Sequence, residues 1–410
     1  MKVFDVVIVG GGAAGSTLGA NLAREGLAVC ILEREVEFTD RVRGEWLAPW
    51  GVAECKTLGI YDLLIAAGGH HVERSVTYDE LMTPTEAEAA VLKLNSVHPL
   101  GARPLCLQHV VMQNTLLAHA IGCGVDVRRG VRDLIIRNGR HPSVSYTLNG
   151  DTYTTECRLI VGADGRSSTV RRQVNLVMEE LPVDHLISGL LVENAYGWPA
   201  HLQAFGKSGN AMHLLFPQGD GRIRLYLEYG LNDRGRYSGG GGTRNFLEAF
   251  DAACLPNGRS VSEGTPVGPC KAHPSNDAIL LQPFAGNTVL IGDAAGYTDP
   301  ISGQGLSAAM RDVRTVRDIL LAKTDWSPSL FLEYAVARNE YVRRIRCVTR
   351  FTTTMFARFD QSGFETRQRG MRRLAANPDL GALYLATLAG PDSLPQEVFT
   401  HEYFQQIFAP

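Results

Sequence analysis

A chain of 410 residues, 45% of them hydrophobic, is too long for one small core and has room for roughly two or three structural units around a large ligand. The formal net charge of -3 comes from interspersed signs rather than blocks, which argues against nucleic acid or an anionic membrane surface as the main partner. The eight cysteines lie far apart, with no C-x-x-C pair and no histidines at zinc spacing, so the reading is reduced thiols, no metal site and a cytoplasmic protein. The N-terminus carries no signal-peptide pattern, and no apolar run is long enough for an integral membrane segment.

The stretch "VFDVVIVGGGAAGSTLGANLAREGLAVCILERE" predicts a buried strand over 3–9, a glycine turn, a helix ending near Gly26, and a second strand over 28–32 that closes on Glu33. Gly10, Gly12 and Gly15 complete G-x-G-x-x-G. Gly10 permits the tight turn, Gly12 lets a pyrophosphate approach the backbone, and Gly15 lets helix and strand pack closely. Beside Ala14, the first turn of the helix offers unpaired N–H groups to phosphate. Glu33, eighteen positions after Gly15 and followed by Arg34, is placed to accept ribose hydroxyls. The unit predicts dinucleotide binding without choosing between NAD and FAD.

Further along, "DRVRGEWLAPWG" (40–51) is a basic, glycine-containing loop, and residues 72–99 contribute strands to a second sheet. "QHVVMQNTLLAHA" reads as a helix whose first turn holds Gln108 or His109, the register being open by one. "CRLIVGADGRSSTVRR" (157–172) is a strand over 159–161 that delivers Asp164, Gly165 and Arg166 ahead of a helix start. Four strands follow between 176 and 269, with "QGDGR" as a hairpin turn. "YSGGGGTRN" (237–245) lacks the acid and helix of a second fingerprint and reads as a flexible loop. In "GDAAGYTDPISGQG" (292–305), Asp293 sits where an apolar strand ends, the edge at which open α/β sheets collect ligands. A helix is expected from near Leu306, with Met310, Val313 and Leu320 on one face. After 323 the chain becomes helical, with Leu332, Val336, Tyr341 or Val342, and Ile345 inward and arginines opposite.

The order of three motifs, G-x-G-x-x-G at the start, D-G at 164–165 and G-D at 292–293, resembles the FAD-dependent monooxygenases of the para-hydroxybenzoate hydroxylase type over roughly residues 1–345. The resemblance implies an α/β fold. A Rossmann-like FAD-binding domain (GR2-type) would be built from 1–71, 100–175 and 270–325, with an antiparallel β-sheet substrate domain from 72–99 and 176–269 inserted in it, and a helical region over 326–410. It implies that Asp293 binds the FAD ribityl chain, and that Pro300, Gly303, Gly305, Leu306 and Ser307 lie along the flavin ring. Arg43 would contact the cofactor or relay its movement, with Arg41 supporting phosphates or the nicotinamide donor. Gln108 or His109 would reach the ribityl chain or a phosphate, and Asp164 would serve FAD and NAD(P)H together. Arg43 and Pro300 are the residues implied at the reacting centre. The inner face of the second sheet would cover the ring, making Met212, Leu214, Phe216, Tyr226 and Tyr229 pocket candidates.

The implied activity is NAD(P)H-dependent insertion of one oxygen atom from O2, through a flavin C4a-hydroperoxide, into an apolar small-molecule substrate, aromatic or polycyclic, by a monomer or homodimer. Two positions depart from the pattern: Gly296 stands where relatives carry histidine, and Ser307 where they carry asparagine. "GDAAG" is also similar to the geranylgeranyl reductases, which makes reduction of prenyl double bonds the alternative. Of the reductases' Y-x-W-x-F-P stretch, "MHLLFPQ" keeps only Phe216 and Pro217, and no halogenase W-x-W-x-I-P segment is present.

Overall fold

The computed structural model describes residues 3–237 and 241–410. Its first layer is an eight-stranded sheet whose central run, Thr288–Leu290, Asp151–Gly162, Phe4–Val9, Val29–Glu33 and Asp126–Arg129, pairs in parallel. Val6, Val7, Ile8 and Ile31 are fully buried, as expected of strands covered on both faces. The crossover helix Ala13–Arg24 buries Leu18, Ala20 and Leu22 against the sheet. The N-terminal part of Asp151–Gly162 leaves the parallel run and pairs with Ser143–Leu148, which in turn pairs with Arg132–Arg137.

The second sheet has seven strands in the order Thr265–Ser275, His185–Glu193, Arg222–Gly230, Ala211–Gly219, Leu202–Ser208, Arg74–Asp79 and Leu92–Lys93. Its strand pattern follows the period-2 reading, and the "QGDGR" turn places Asp220 and Gly221 at φ 51° and 69°, the left-handed pair that a two-residue hairpin requires. Two expectations are corrected. The sheet is not wholly antiparallel: Leu202–Ser208 and Arg74–Asp79 run parallel. No tight turn links these two, because the first sheet's strands intervene in sequence, and parallel pairing needs such a crossover. The Thr265–Ser275 strand also continues past the expected domain limit at 270, since it pairs with His185–Glu193 along its length.

The glycine stretch expected as a loop over 237–245 falls partly outside the described residues, and from Gly242 the chain is already helical, as Gly242–Glu248. The C-terminal region consists of helices Leu332–Phe356, Gln361–Ala376, Ala382–Ala389 and His401–Phe408. On the first of these, Tyr341, Val342 and Ile345 are buried, but Leu332 and Val336 are 55% and 71% exposed. The buried stripe runs instead through Tyr334 and Arg338, because Arg338 finds a buried partner in Asp312 and so occupies a core row.

Candidate active site

A cavity of about 510 Å³ runs from the glycine turn, past the Asp293 loop, to the inner face of the second sheet. The three fingerprint glycines have different reasons to lack a side chain. At Gly10, with φ 106°, a Cβ would lie 2.4 Å from the Ala163 carbonyl oxygen, and at Gly15 it would lie 1.9 Å from that of Gly10. At Gly12 it would meet only Gln113 Nε2, at 3.8 Å, so the space before this backbone is open to a ligand. Glu33 closes the second strand with a buried carboxylate that accepts from the N–H of Gly11 at 2.6 Å and of Glu35 at 2.7 Å. Gly10, Gly12, Ala14, Glu33 and Arg34 line this end; Gly15 supports it from behind.

Asp293 is held in place by a clamp that the sequence did not reveal. The Gly292 N–H donates to Asp312 Oδ2 at 2.8 Å, and Arg338 Nη2 donates to the Gly296 carbonyl at 2.9 Å. Arg338 and Asp312 pair at 3.2 Å, and the Tyr341 hydroxyl donates to the same carboxylate. Both ends of the turn are thereby fixed, and the Asp293 side chain, 36% exposed, stands in the groove with Arg166 Nε at 3.3 Å. Arg166 also lies over the Tyr297 ring.

Asp164 lines the groove, but its carboxylate accepts from the N–H groups of Thr169 and Val170 and from the Ser168 hydroxyl, organising its own loop and the start of the following helix.

Arg41, Arg43 and Gly44 form the adjoining wall. His273 Nε2 donates to the Arg41 carbonyl at 3.1 Å, which leaves Nδ1 to accept from Arg43 Nη2 at 3.0 Å. Burial and the neighbouring Arg43 push His273 down to about 4, so the imidazole is neutral at ordinary pH. Val42, between the two arginines, has φ 56°, a strained conformation for a β-branched residue, fixed by its N–H on Asp40 Oδ1 at 2.6 Å. Gly189 makes this possible: a Cβ there would be 2.5 Å from Val42 Cγ1.

Glu45, unforeseen from sequence, ties this loop to the second sheet. It accepts from Arg224 Nε at 2.6 Å and Nη2 at 2.8 Å, from Gln218 Nε2 at 2.6 Å, and from the His109 N–H at 3.1 Å. The helix register falls on His109, which lines the cavity together with Gln113 and donates from Nδ1 to the Gly44 carbonyl at 3.1 Å. Gln108 is the N-cap residue and lies outside the lining.

Pro300 begins a short turn that the Asp299 carboxylate caps through the Ile301 N–H at 3.0 Å. Gly303, at φ 65°, lies against Trp46, whose ring a Cβ would strike at 2.8 Å. The Gly305–Ala322 helix then starts without a side-chain cap, with Gly305 and Leu306 facing the groove. Ser307 does not face it: its hydroxyl accepts from the Ala48 N–H at 3.3 Å in the contact with Gly51, where the two helices meet.

At the far end, Met212, Leu214 and Phe216 project from one face of their strand and Tyr226 from the next. Tyr229 lies in the core outside this lining, its hydroxyl 2.7 Å from that of Ser188 and its ring 4.7 Å from Tyr237. Sequence reasoning missed Trp46, Phe205 and the C-terminal contribution of Phe356, Tyr384, Thr387 and Leu388. For the C-terminal residues the available signal was the apolar spacing of the last helices.

Fold and groove define a dinucleotide-binding α/β protein with a second sheet set into it, and the open backbone at Gly12 and the carboxylates of Glu33 and Asp293 along one groove fit an extended dinucleotide such as FAD. The family model for the FAD binding domain matches residues 3–349, and the chain belongs to that family. Squalene monooxygenase from Mus musculus is 24% identical over 332 residues, 77% of this chain and 54% of that protein, so the chain spans about half the length of that relative. Digeranylgeranylglycerophospholipid reductase from Methanocella arvoryzae is 24% identical over 324 residues, 77% of each chain. Among solved structures, the anhydrotetracycline hydroxylase OxyS from Streptomyces rimosus superposes with a TM-score of 0.71 at 20% identity, covering 95% of this chain and 76% of that one. The flavin-dependent brominase Bmp2 gives 0.74 at 18% identity, with 97% and 96% covered. Among the described residues, no helix is long and apolar enough to cross a membrane.

Proposed function

We propose that the chain is an NAD(P)H-dependent FAD monooxygenase acting on an apolar small molecule. The observation that carries this reading is the continuity of the groove: the cavity that passes Gly12 and Asp293 opens directly onto Phe216, Tyr226 and Phe356, so a cofactor in the groove would adjoin an apolar site for substrate. Bound FAD supplies the electron transfer from NAD(P)H and the reaction with O2. The chain's own residues do the rest. Gly10, Gly12 and Ala14 receive the pyrophosphate, Glu33 the ribose, and Asp293 the ribityl hydroxyls. Uncapped N–H groups at Gly305 offset negative charge that develops beside them. Arg43 brings a positive charge to the same wall, and neutral His273 holds it there. The apolar side chains of the second sheet exclude water from the reacting atoms.

A second reading, reduction of a carbon–carbon double bond, is favoured by the reductase relatives at the same 24% identity. The two separate on oxygen. With FAD-loaded protein, NADPH or NADH, and a panel of aromatic and isoprenoid compounds, the monooxygenase reading expects substrate-stimulated O2 uptake and one atom of 18O from 18O2 in the product. Alkene saturation that proceeds equally under argon contradicts it.

A further inference from the structure

Where the second sheet meets the Pro300 turn, four side chains from distant parts of the chain come together: Asp184, His185, Glu228 and Asp299. His185 and Glu228 stand on paired strands and are fully buried, while Asp299, its side chain 8% exposed, heads the turn. On one side of the imidazole, Nδ1 donates to Asp184 Oδ1 at 2.5 Å. On the other, Nε2 lies 2.8 Å from Glu228 Oε2 and 3.3 Å from Asp299 Oδ2, yet neither contact has hydrogen-bond geometry. Nε2 and both Glu228 oxygens are sealed from solvent without a hydrogen-bond partner among the described residues, which is costly unless a further group supplies one. Asp299 is held in place: its Oδ1 accepts from the Ile301 N–H at 3.0 Å and its own N–H donates to Asp277 Oδ1 at 2.7 Å, which leaves Oδ2 toward Nε2. Two buried carboxylates and a third from Asp184 thus face a single imidazole, an excess of negative charge in a buried place.

We propose that His185 Nε2, Glu228 and Asp299 form a zinc site that fastens the Pro300 turn to the second sheet, with Asp184 orienting the ligating imidazole. One nitrogen and two carboxylate oxygens suit this ion, and its two charges balance Glu228 and Asp299. Neighbouring donors in a tetrahedral zinc shell lie about 3.4 Å apart, so Asp299 already stands at ligand spacing from Nε2 and Glu228 has to move outward by about half an ångström. A carboxylate on the far ring nitrogen is the usual support of a histidine ligand. Asp184, its side chain 68% exposed, connects the cluster to solvent and gives the ion a way in. Ile187 and Met212, the cross-strand neighbours of Glu228, line the cavity, as does Pro300, whereas none of the four donors does. The ion therefore sits behind the cavity wall and holds it, without touching cofactor or substrate. No zinc spacing announces the site, because its donors meet only when the sheet and the turn pack together.

The test uses the full chain with FAD in excess, stripped with EDTA, exposed to Zn2+ and passed through gel filtration, with metal counted by mass spectrometry and affinity measured by calorimetry. All samples carry Cys123→Ser, because Cys123 Sγ lies 3.7 Å from His119 Nε2 and that pair could bind zinc on its own. This parent is expected to retain one Zn2+ per chain and to unfold at a higher temperature with the ion than without it. Glu228→Gln and Asp299→Asn, which keep the side-chain shape, are expected to retain none and to show no thermal shift. Asp184→Asn leaves every ligand in place and is expected to weaken binding about tenfold. A parent that retains no zinc, or a Glu228→Gln variant that retains as much as the parent, overturns the proposal. If Glu228→Gln and Asp299→Asn fail to fold, Asp184→Asn carries the comparison, and an affinity equal to the parent's overturns it.

Discussion

Neighbouring glycines of one turn answer to different constraints, and substitution separates them. Gly15→Ala drives a methyl into the Gly10 carbonyl, so it is expected to lower stability by about 1–3 kcal/mol in urea unfolding, before any ligand is considered. Gly12→Val has room within the protein and an ordinary φ of -71°. It is expected to stay folded and yet to weaken FAD binding about 100-fold, roughly 2.7 kcal/mol, because the side chain fills the space a pyrophosphate needs. Fluorescence titration with FAD, alongside the unfolding curves, checks both. His273 gives a pH test. Its imidazole is held at about 4, below the ordinary 6.5, so the unfolded chain binds its proton first and this residue's stability contribution, present above 6.5, is lost as pH falls toward 4. FAD affinity is expected to be level from pH 8 to about 6 and to fall below about 5, where a charged His273 faces Arg43; His273→Gln should remove that acid limb.

Between elements, buried ion pairs set the loops that meet the groove. Arg338 and Asp312 close the Asp293 turn at both ends, and Arg224 with Glu45 fastens the strained Val42 loop to the second sheet. Under the Pro300 turn, His185 lies 2.8 Å from Glu228 and 3.3 Å from Asp299; burial opposes its charge, yet these carboxylates and Asp184 hold it above the ordinary imidazole range. Arg338→Met leaves Asp312 charged and uncompensated in the core, and is expected to cost about 3–5 kcal/mol in chemical unfolding and to lower flavin content as the turn loosens. A loss under 1 kcal/mol with full flavin would show that the clamp is not what holds Asp293. None of these pairs was legible beforehand. The strands and the glycine turn announce themselves through local periodicity and dihedral demands, whereas Arg224 and Glu45 lie 179 positions apart and meet only because two sheets pack together. For the same reason Ser307, polar and next to the groove in sequence, could not be seen to face Gly51.

At the scale of the molecule, the cavity beside the glycine turn runs without a break to residues of the second sheet and of the C-terminal helices. The first sheet and its cofactor groove could be read from three short motifs, because tight turns and strand ends constrain residue identity strongly. The far end of the cavity could be read only as a type of surface, since any apolar residue serves there, and the part supplied by the last helices carries no motif. FAD binding in the groove that the motifs define therefore comes first. Quantifying FAD in the purified chain after incubation with excess cofactor and removal of the free fraction tests it most directly. The expected result is one flavin per chain for wild type and near none for Gly12→Val at an unchanged folded signal; wild-type protein that retains no flavin, or Gly12→Val protein that retains all of it, would contradict the account.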